Sequence, residues 1–495
     1  MTTSRGRWRA HRTSVFSSSQ IQWGTSLFIE HLRRIAEQHP TRPALVTRDR
    51  QLTFSQLVGQ VDQSAAALVA AGLGPGDTVG LSIRDVIEHL VACLGLLAAG
   101  TTQVALSTFD PEKARESLGR AAGVNVVLFD DSPRVPVDIR PLRWGDLDQK
   151  HRSPISTGEG RLLLRTSGNT GIGKLVSYNE TQLALQARDT GQYEGHRYFR
   201  PASVEHNNGK RHRLYCVFAG GTNVFRPPSD ADLALSCSEF GVSLLDLSLM
   251  HAEDLIRRDD RKAFHHMSIR TAGSALPFRT RRLLQERVSR NLEVRYGATE
   301  CGTIAVAGRD QHDEDEVVGL PAHGVEVRVI DDGGLEVMTG GSGYIAIRAP
   351  GMATAYIDAP SETKKSFVDG WLYPGDIGRF RSDGCLIVEG RGDDMIILNG
   401  INIFPQEIER VLQLHPAVRA AAAVALPSAV HGQIPVAAVE LERENAIEAP
   451  GLMDFARERL GLRAPRRIVI LDALPRTLEG KVLRREVLST FEHVA

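Results

Sequence analysis

The chain alternates between two hydrophobic periods. Between residues 27 and 106, stretches with apolar positions every three or four residues are separated by short unbroken apolar runs. SLFIEHLRRIAEQ carries Leu27, Ile35 and their neighbours at helical spacing, PALVT is β-like, and residues 54–71 return to the helical period. Residues 79–83 (VGLSI) and 124–129 (VNVVLF) read as strands. This alternation predicts an α/β fold with a substantially parallel sheet. The most apolar stretch, VACLGLLAAG at 91–100, is too short to cross a bilayer and predicts a buried helix.

Between 325 and 348 the pattern changes to VEVRVI, a DDGG turn, LEVMT, a GGSG turn and YIAIR. Strands punctuated by glycine turns predict a small β-subdomain. A new pattern begins after GRGDDMIILNG near residue 390. Pro405 opens a helix at its favoured first-turn position. AAAVAL and VAAVEL read as strands, 452–460 as a helix and IVIL as a strand. The expected organisation is therefore a large N-terminal domain over 25–392 and a small α+β domain over 393–495. Residues 1–24 read as a disordered tail. Their Arg5, Arg7, Arg9 and Arg12 precede no apolar core, unlike a secretory signal.

Composition narrows the class. With 42% hydrophobic and 24% charged residues in 495, the chain can bury sizeable cores. A net charge of -1 gives no field favouring nucleic acid or acidic membranes. Cys93, Cys216, Cys237, Cys301 and Cys385 are far apart and form no CxxC pair. They argue against a disulfide framework or zinc ribbon and fit a reducing compartment, so a cytoplasmic location is expected.

Candidate chemistry starts at LLLRTSGNTGIGKLVSYN, residues 162–179. An apolar strand runs into a loop of hydroxyls and glycines closed by Lys174. Gly168, Gly171 and Gly173 let backbone N–H groups turn toward an anion, and Thr166, Ser167 and Thr170 add donors. The pattern predicts a phosphate cradle. Residues 168–174 also fit GxxxxGK, but Leu175 stands where a P-loop needs Ser or Thr to hold Mg²⁺.

The loop resembles the TSGTTG-x-P-K signature of adenylate-forming enzymes, a superfamily of acyl- and aryl-CoA synthetases, stand-alone adenylation enzymes and luciferases. Further segments resemble the same family in order: LLAAGTTQVAL, TAGSALP (271–277), YGATE (296–300), DGWLYPGDIG (369–378), GRGDDMIILNGINIFPQEIE (390–409) and LPRTLEGKVLRRE (474–486). The resemblance spans residues 25–490. It implies ATP-dependent formation of an acyl-adenylate with release of pyrophosphate, then transfer to a thiol. Because both reactants are anionic, positioning and positive charge should carry the catalysis.

The resemblance also implies roles. Residues 166–174, including Thr166, Ser167, Gly168, Asn169, Thr170, Gly171 and Lys174, would hold the β- and γ-phosphates. Thr299 would contact the α-phosphate and Glu300 would ligate Mg²⁺. Tyr296 would stack on adenine, and Asp376 and Arg391 would hold the ribose. Lys481 would bridge the reacting carboxylate and the α-phosphate. Asp393 matches the hinge about which the C-terminal domain rotates. Loss of Glu300, Asp376, Arg391 or Lys481 would have marked a non-catalytic homologue; all four are present.

VEHNNG (204–209) resembles the H-x-x-G preceding the acyl pocket and lacks the Asp that binds an α-amino group. This favours an organic or fatty acid, with a pocket wall from His206, Gly209, Gly220, Gly221, Gly273, Ser274 and Cys301; His206 also reads as a structural residue. Three departures stand out. Lys210, Arg211, His212 and Arg213 replace apolar residues, and read as a solvated loop or as a site for an extra acidic group or a phosphorylated acceptor. Pro374 replaces Thr or Ser before Gly-Asp. Asn169 and Gly173 replace Thr and Pro, which predicts a looser phosphate loop. No carrier domain is recognisable, so coenzyme A or a carrier protein in trans is the expected acceptor.

Overall fold

The computed structural model describes residues 28–131, 139–148, 158–166, 173–188, 193–225, 233–312, 317–428, 430–442, 447–477 and 480–492, without the side chains of 207 and 208. The alternating segments form two large sheets. A 7-stranded sheet sets Arg140–Arg143, Val126–Phe129, Thr78–Ser82, Thr102–Ala105 and Arg161–Arg165 in parallel. Leu175–Asn179 and Tyr356–Ile357 complete it antiparallel. A 15-stranded sheet has a parallel half containing Pro43–Val46, Thr222–Val224, Arg197–Phe199, Leu244–Leu247, Ser268–Ala272 and Leu292–Ala298. Its antiparallel half runs from Gly302–Ala307 through Val317–Pro321 to the hairpin strands.

One core joins both sheets, drawing Leu45 and Tyr198 from one and Val79, Leu81 and Leu162 from the other. Between them lie the helices Phe54–Ala70, Val86–Ala98 and Asn207–Phe218. The predicted buried helix is Val86–Ala98, capped by Asp85, whose Oδ1 accepts from Ile87 N and Glu88 N at 3.0 and 2.9 Å. No helix among the described residues is long and apolar enough to cross a membrane.

The hairpin strands Glu326–Ile330, Gly343–Arg348, Asp376–Phe380 and Leu386–Arg391 share a core of their own with Ile304, Ala305 and Leu372. LEVMT does not become a strand; only Glu336 bridges to Ile330. Asp331 Oδ1 accepts from Gly333 N and Leu335 N, both at 2.9 Å, taking backbone donors that a longer ladder would need.

Asp393 lies between the last strand of this region, Leu386–Arg391, and Ile396–Leu398, the first strand of a 5-stranded sheet. The helices Pro405–Gln413 and Ala449–Leu460 cover one face of that sheet and Arg484–Glu492 the other. This small C-terminal domain rests on the large one. Arg279 Nη1 donates to Val418 O at 3.1 Å, and Arg419 pairs with Glu253 at 3.7 Å. The parallel strands Arg161–Arg165, Ser268–Ala272 and Leu292–Ala298 end at Thr166, Gly273 and Thr299. Such C-terminal strand ends are where open α/β sheets bind ligands.

Candidate active site

Asp376 and Arg391 face each other across one antiparallel pair. Register alone brings these residues, fifteen apart in the chain, into an ion pair of 3.6 Å. Tyr296 Oη donates to Asp376 Oδ2. The Arg391 guanidinium also donates to both carboxylate oxygens of Asp393 at 2.8 and 3.1 Å. Arg391 Nη1 gives a further bond to Pro374 O at 2.9 Å. The unusual Pro374 thus lacks a donor but supplies a carbonyl that aims Arg391. Burial pushes Asp376 above the usual carboxylate range, against the pull of Tyr296 and Arg391; the nearby Asp393 and Glu300 charges add to the rise. The Asp393 bonds raise the already basic Arg391 further, so it stays charged.

A second chain of contacts joins the phosphate loop to Glu300. Tyr356 Oη donates to Glu300 Oε1 at 2.7 Å, and Lys174 Nζ sits 4.2 Å from the centre of the same ring. Tyr356 is placed by strand pairing, directly opposite Val176. Sequence reasoning missed it because no motif contains it. Thr166 N donates to Lys174 O at 2.7 Å, closing the base of the loop. Thr166 Oγ1 is buried with no hydrogen-bond partner. A Cβ on Gly173 would lie 1.9 Å from Thr166 O. Gly173 is therefore what lets the two strands of the loop cross, and it does not loosen that crossing. Ser167, Gly168, Asn169, Thr170 and Gly171 lie outside the described residues.

The solvated-loop reading of the basic cluster is overturned. Lys210, Arg211, His212 and Arg213 are all buried, on the helix Asn207–Phe218. The flanking Leu214, Tyr215, Cys216, Val217 and Phe218 belong to the core between the sheets, and they carry the bases inside with them. Arg211 Nη1 donates to Thr299 O at 2.8 Å and Nη2 to Ala298 O at 3.5 Å. Tyr178 Oη donates to the same Thr299 carbonyl at 2.6 Å. Tyr193 Oη and His212 Nδ1 share a bond of 2.8 Å. Arg213 donates to Arg200 O and Val224 O at 2.9 and 3.2 Å and lies over the Phe225 ring.

The expected pocket residues separate. His206 is the N-cap of this helix and stacks on Phe109 with centroids 6.3 Å apart. Gly209 packs against Ser203, where a Cβ would meet Ser203 O at 2.4 Å, so it sets a close approach. Gly220 and Gly221 are not near His206. They follow the other end of the helix, about 20 Å away at 1.5 Å per residue, beside Arg42 and Tyr193. Gly273, at φ 97°, turns the chain after Ser268–Ala272 and leaves Ser274 half-buried. Cys301 is buried against Ile304 and Ile345, and burial pushes its thiol up to about 12. Lys481 is exposed and near Asp393; the Arg391 bonds, with help from the Lys481 charge, hold the Asp393 carboxyl below its ordinary value. A Cβ on Gly480 would meet Met250 Cγ of the large domain at 2.8 Å.

Residues 32–357 match the AMP-binding enzyme family, and residues 407–481 match the AMP-binding enzyme C-terminal domain. The chain belongs to the AMP-binding enzymes. A 2-succinylbenzoate–CoA ligase of Bacillus licheniformis is 28% identical, covering 92% of this chain and 98% of its own. An indoleacetate–CoA ligase of Aromatoleum aromaticum is 28% identical, covering 92% and 97%. Among solved structures, ATP-bound MatB from Rhodopseudomonas palustris superposes with a TM-score of 0.86 at 24% identity, over 94% and 99% of the two chains. The residues of this AMP-binding enzyme suit ATP. A buried hydroxyl without a partner at Thr166 and the cation of Lys174 suit phosphate; the carboxylate of Asp376 suits sugar hydroxyls.

Proposed function

We propose that this AMP-binding enzyme joins a carboxylic acid to AMP and then passes the acyl group to the thiol of coenzyme A. The carboxylate oxygen attacks the α-phosphorus of ATP and pyrophosphate leaves. The thiol sulfur then attacks the acyl carbon, AMP leaves, and the thiol proton is released. One observation carries the reading: a continuous chain of polar contacts, hydrogen bonds from Tyr296 to Asp376 and from Arg391 to Asp393 joined by the Asp376–Arg391 ion pair, with Glu300 close enough to affect Asp376.

In this reading Asp376 accepts from the ribose hydroxyls, Arg391 pulls Asp376 toward its ionised form against the effect of burial, and the Tyr296 ring packs on the base. Thr166 and Lys174 bind the outer phosphates, together with residues 167–171. Glu300 supplies one hard oxygen for Mg²⁺, and phosphate and water would complete its shell. That ion, when bound, neutralises phosphate charge. Thr299 meets the α-phosphate, and its backbone is held from behind by Arg211 and Tyr178. Lys481 reaches the reacting carboxylate as a mobile point charge. The link around Asp393 is the pivot that removes Lys481 before thiol transfer. The five free, buried cysteines support work in the reducing cytoplasm.

The test is acid-dependent exchange of labelled pyrophosphate into ATP across fatty, aryl and polycyclic acids, followed by thioester detection with coenzyme A. Exchange that needs an acid is expected. ATP binding with no exchange for any acid would overturn the reading.

A further inference from the structure

Lys210 is among the largest fully buried side chains, 1% exposed, and its Nζ has no hydrogen-bond partner. An ammonium group in that position is costly unless something anionic meets it. Its neighbouring acid, Glu205, acts on the ammonium through space but makes no hydrogen bond to it, accepting instead from Thr108 N and Thr108 Oγ1 at 2.5 and 2.9 Å. Cys93 and His89 on the helix Val86–Ala98 also feel the Lys210 charge, and burial keeps the thiol protonated and the imidazole neutral. Neither offers a counter-charge. Other buried polar atoms near Cys93 lack partners as well: Gln103 Oε1, whose amide nitrogen bonds Cys93 O at 2.8 Å, and His89 Nε2. Unmet polar atoms gathered in one place mark a polar ligand or water better than dry core.

The position borders the active site. Lys210 N closes the first helical turn onto His206 O at 2.8 Å, and the next residue, Arg211, holds the Thr299 and Ala298 carbonyls. The surrounding interior is short of negative charge. Lys210, Arg200, Arg211, Arg213, Arg270 and Arg295 are all buried, against the carboxylates of Glu205, Asp246, Glu293 and Glu300. Asp246 is committed to Arg200 at 2.7 Å and Glu293 to Arg270 at 2.9 Å and to Arg295.

We infer that the carboxylic acid this enzyme activates carries a second anionic group, a carboxylate or phosphonate, and that Lys210 receives it. The inference rests on the adenylation reading. Burial alone pulls the Lys210 ammonium toward its neutral form, and a bound anion reverses that pull.

The experiment compares succinate, adipate, suberate and phosphonopropionate with the monomethyl esters of the dicarboxylates and with propionate. Pyrophosphate exchange is measured in the wild type and in Lys210→Met, which keeps the chain length and removes the charge. The wild type should favour the doubly acidic member of a matched pair by about 10–100-fold in kcat/KM, the worth of a charged hydrogen bond. In Lys210→Met that ratio should fall to about one, through loss of the doubly acidic member's advantage. An unchanged ratio, or a wild type that prefers the ester, would overturn the inference. If no acid supports exchange, the adenylation reading fails, and calorimetric binding of the same acids decides Lys210. Binding of doubly acidic ligands lost in Lys210→Met keeps the site; equal or absent binding removes it.

Discussion

Two donors converge on the Thr299 carbonyl, Tyr178 Oη at 2.6 Å and Arg211 Nη1 at 2.8 Å. A carbonyl oxygen has two lone pairs, so either donor alone still satisfies it. Tyr178→Phe should therefore cost only the net worth of a neutral bond, about 0.5–1.5 kcal/mol, and Arg211→Met about 1.5–3 kcal/mol for a charged one. The double variant leaves a half-buried carbonyl with neither donor and a loop free to shift. Its loss should exceed the sum of the single losses by about 0.5–3 kcal/mol, as for residues sharing one partner. At 1.4 kcal/mol per tenfold, the single variants lose about 2–100-fold in kcat/KM for ATP, and the double variant loses more than their product. Arg211→Lys should not rescue, because a point charge cannot span the Thr299 and Ala298 carbonyls. The assay is pyrophosphate exchange for the double-mutant cycle, with the melting temperature followed in parallel. Additivity within about 0.5 kcal/mol, or activity losses that merely follow the melting temperature, would refute the claim that these donors position the Thr299 loop.

Three further outcomes are expected. Lys481→Ala should cut adenylation by about 10² or more and leave the melting temperature unchanged, since the residue is exposed; undiminished exchange would remove it from the mechanism. Gly173→Ala places a Cβ against Thr166 O, so it should raise KM for ATP by about tenfold or more through a displaced loop, measured by ATP titration at saturating acid. Burial raises the Glu180 carboxyl from 4.5 to about 7. The folded state then binds the extra proton between those values, so wild-type stability falls as pH rises through that window and levels off above it. Glu180→Gln should melt higher than the wild type at pH 8, by an amount on the order of 1 kcal/mol, with the gap closing toward pH 5; equal melting curves at both pH values would count against it.

The elements were legible because their periods are strong. The helix Val86–Ala98, the strands Val418–Ser428 and Gly432–Leu441, and the helix opened by Pro405 stand where apolar spacing puts them. The pairing of Asp376 with Arg391 was reachable through motif resemblance, although the register that makes it is not visible in the sequence. Tyr356 and Tyr178 were not reachable, since they stand on one sheet and meet Glu300 and Thr299 at the end of a strand of the other, from distant segments. The basic run at 210–213 misled for a clear reason. Four consecutive basic residues read as solvent-facing, but helix burial is decided by what packs around it, and here the shared core of the two sheets takes the helix in. LEVMT failed in the opposite direction, as a good strand pattern undone by the Asp331 side chain. Gly220 and Gly221 show that motif proximity is not spatial proximity when a full helix intervenes.

The helix Asn207–Phe218 also sets what evolution can change in this enzyme. Arg211 and Arg213 are held by backbone carbonyls of Thr299, Ala298, Arg200 and Val224. No substitution elsewhere can delete a carbonyl, so those two arginines have partners that persist through sequence drift. Lys210 Nζ has no carbonyl partner, and the groups that feel its charge, Glu205, His89 and Cys93, are side chains that can be replaced. A descendant of this chain that acquires a different acid can do so at position 210 while 211 and 213 stay fixed. The record of its change in diet would then be a single interior residue flanked by unchanged arginines.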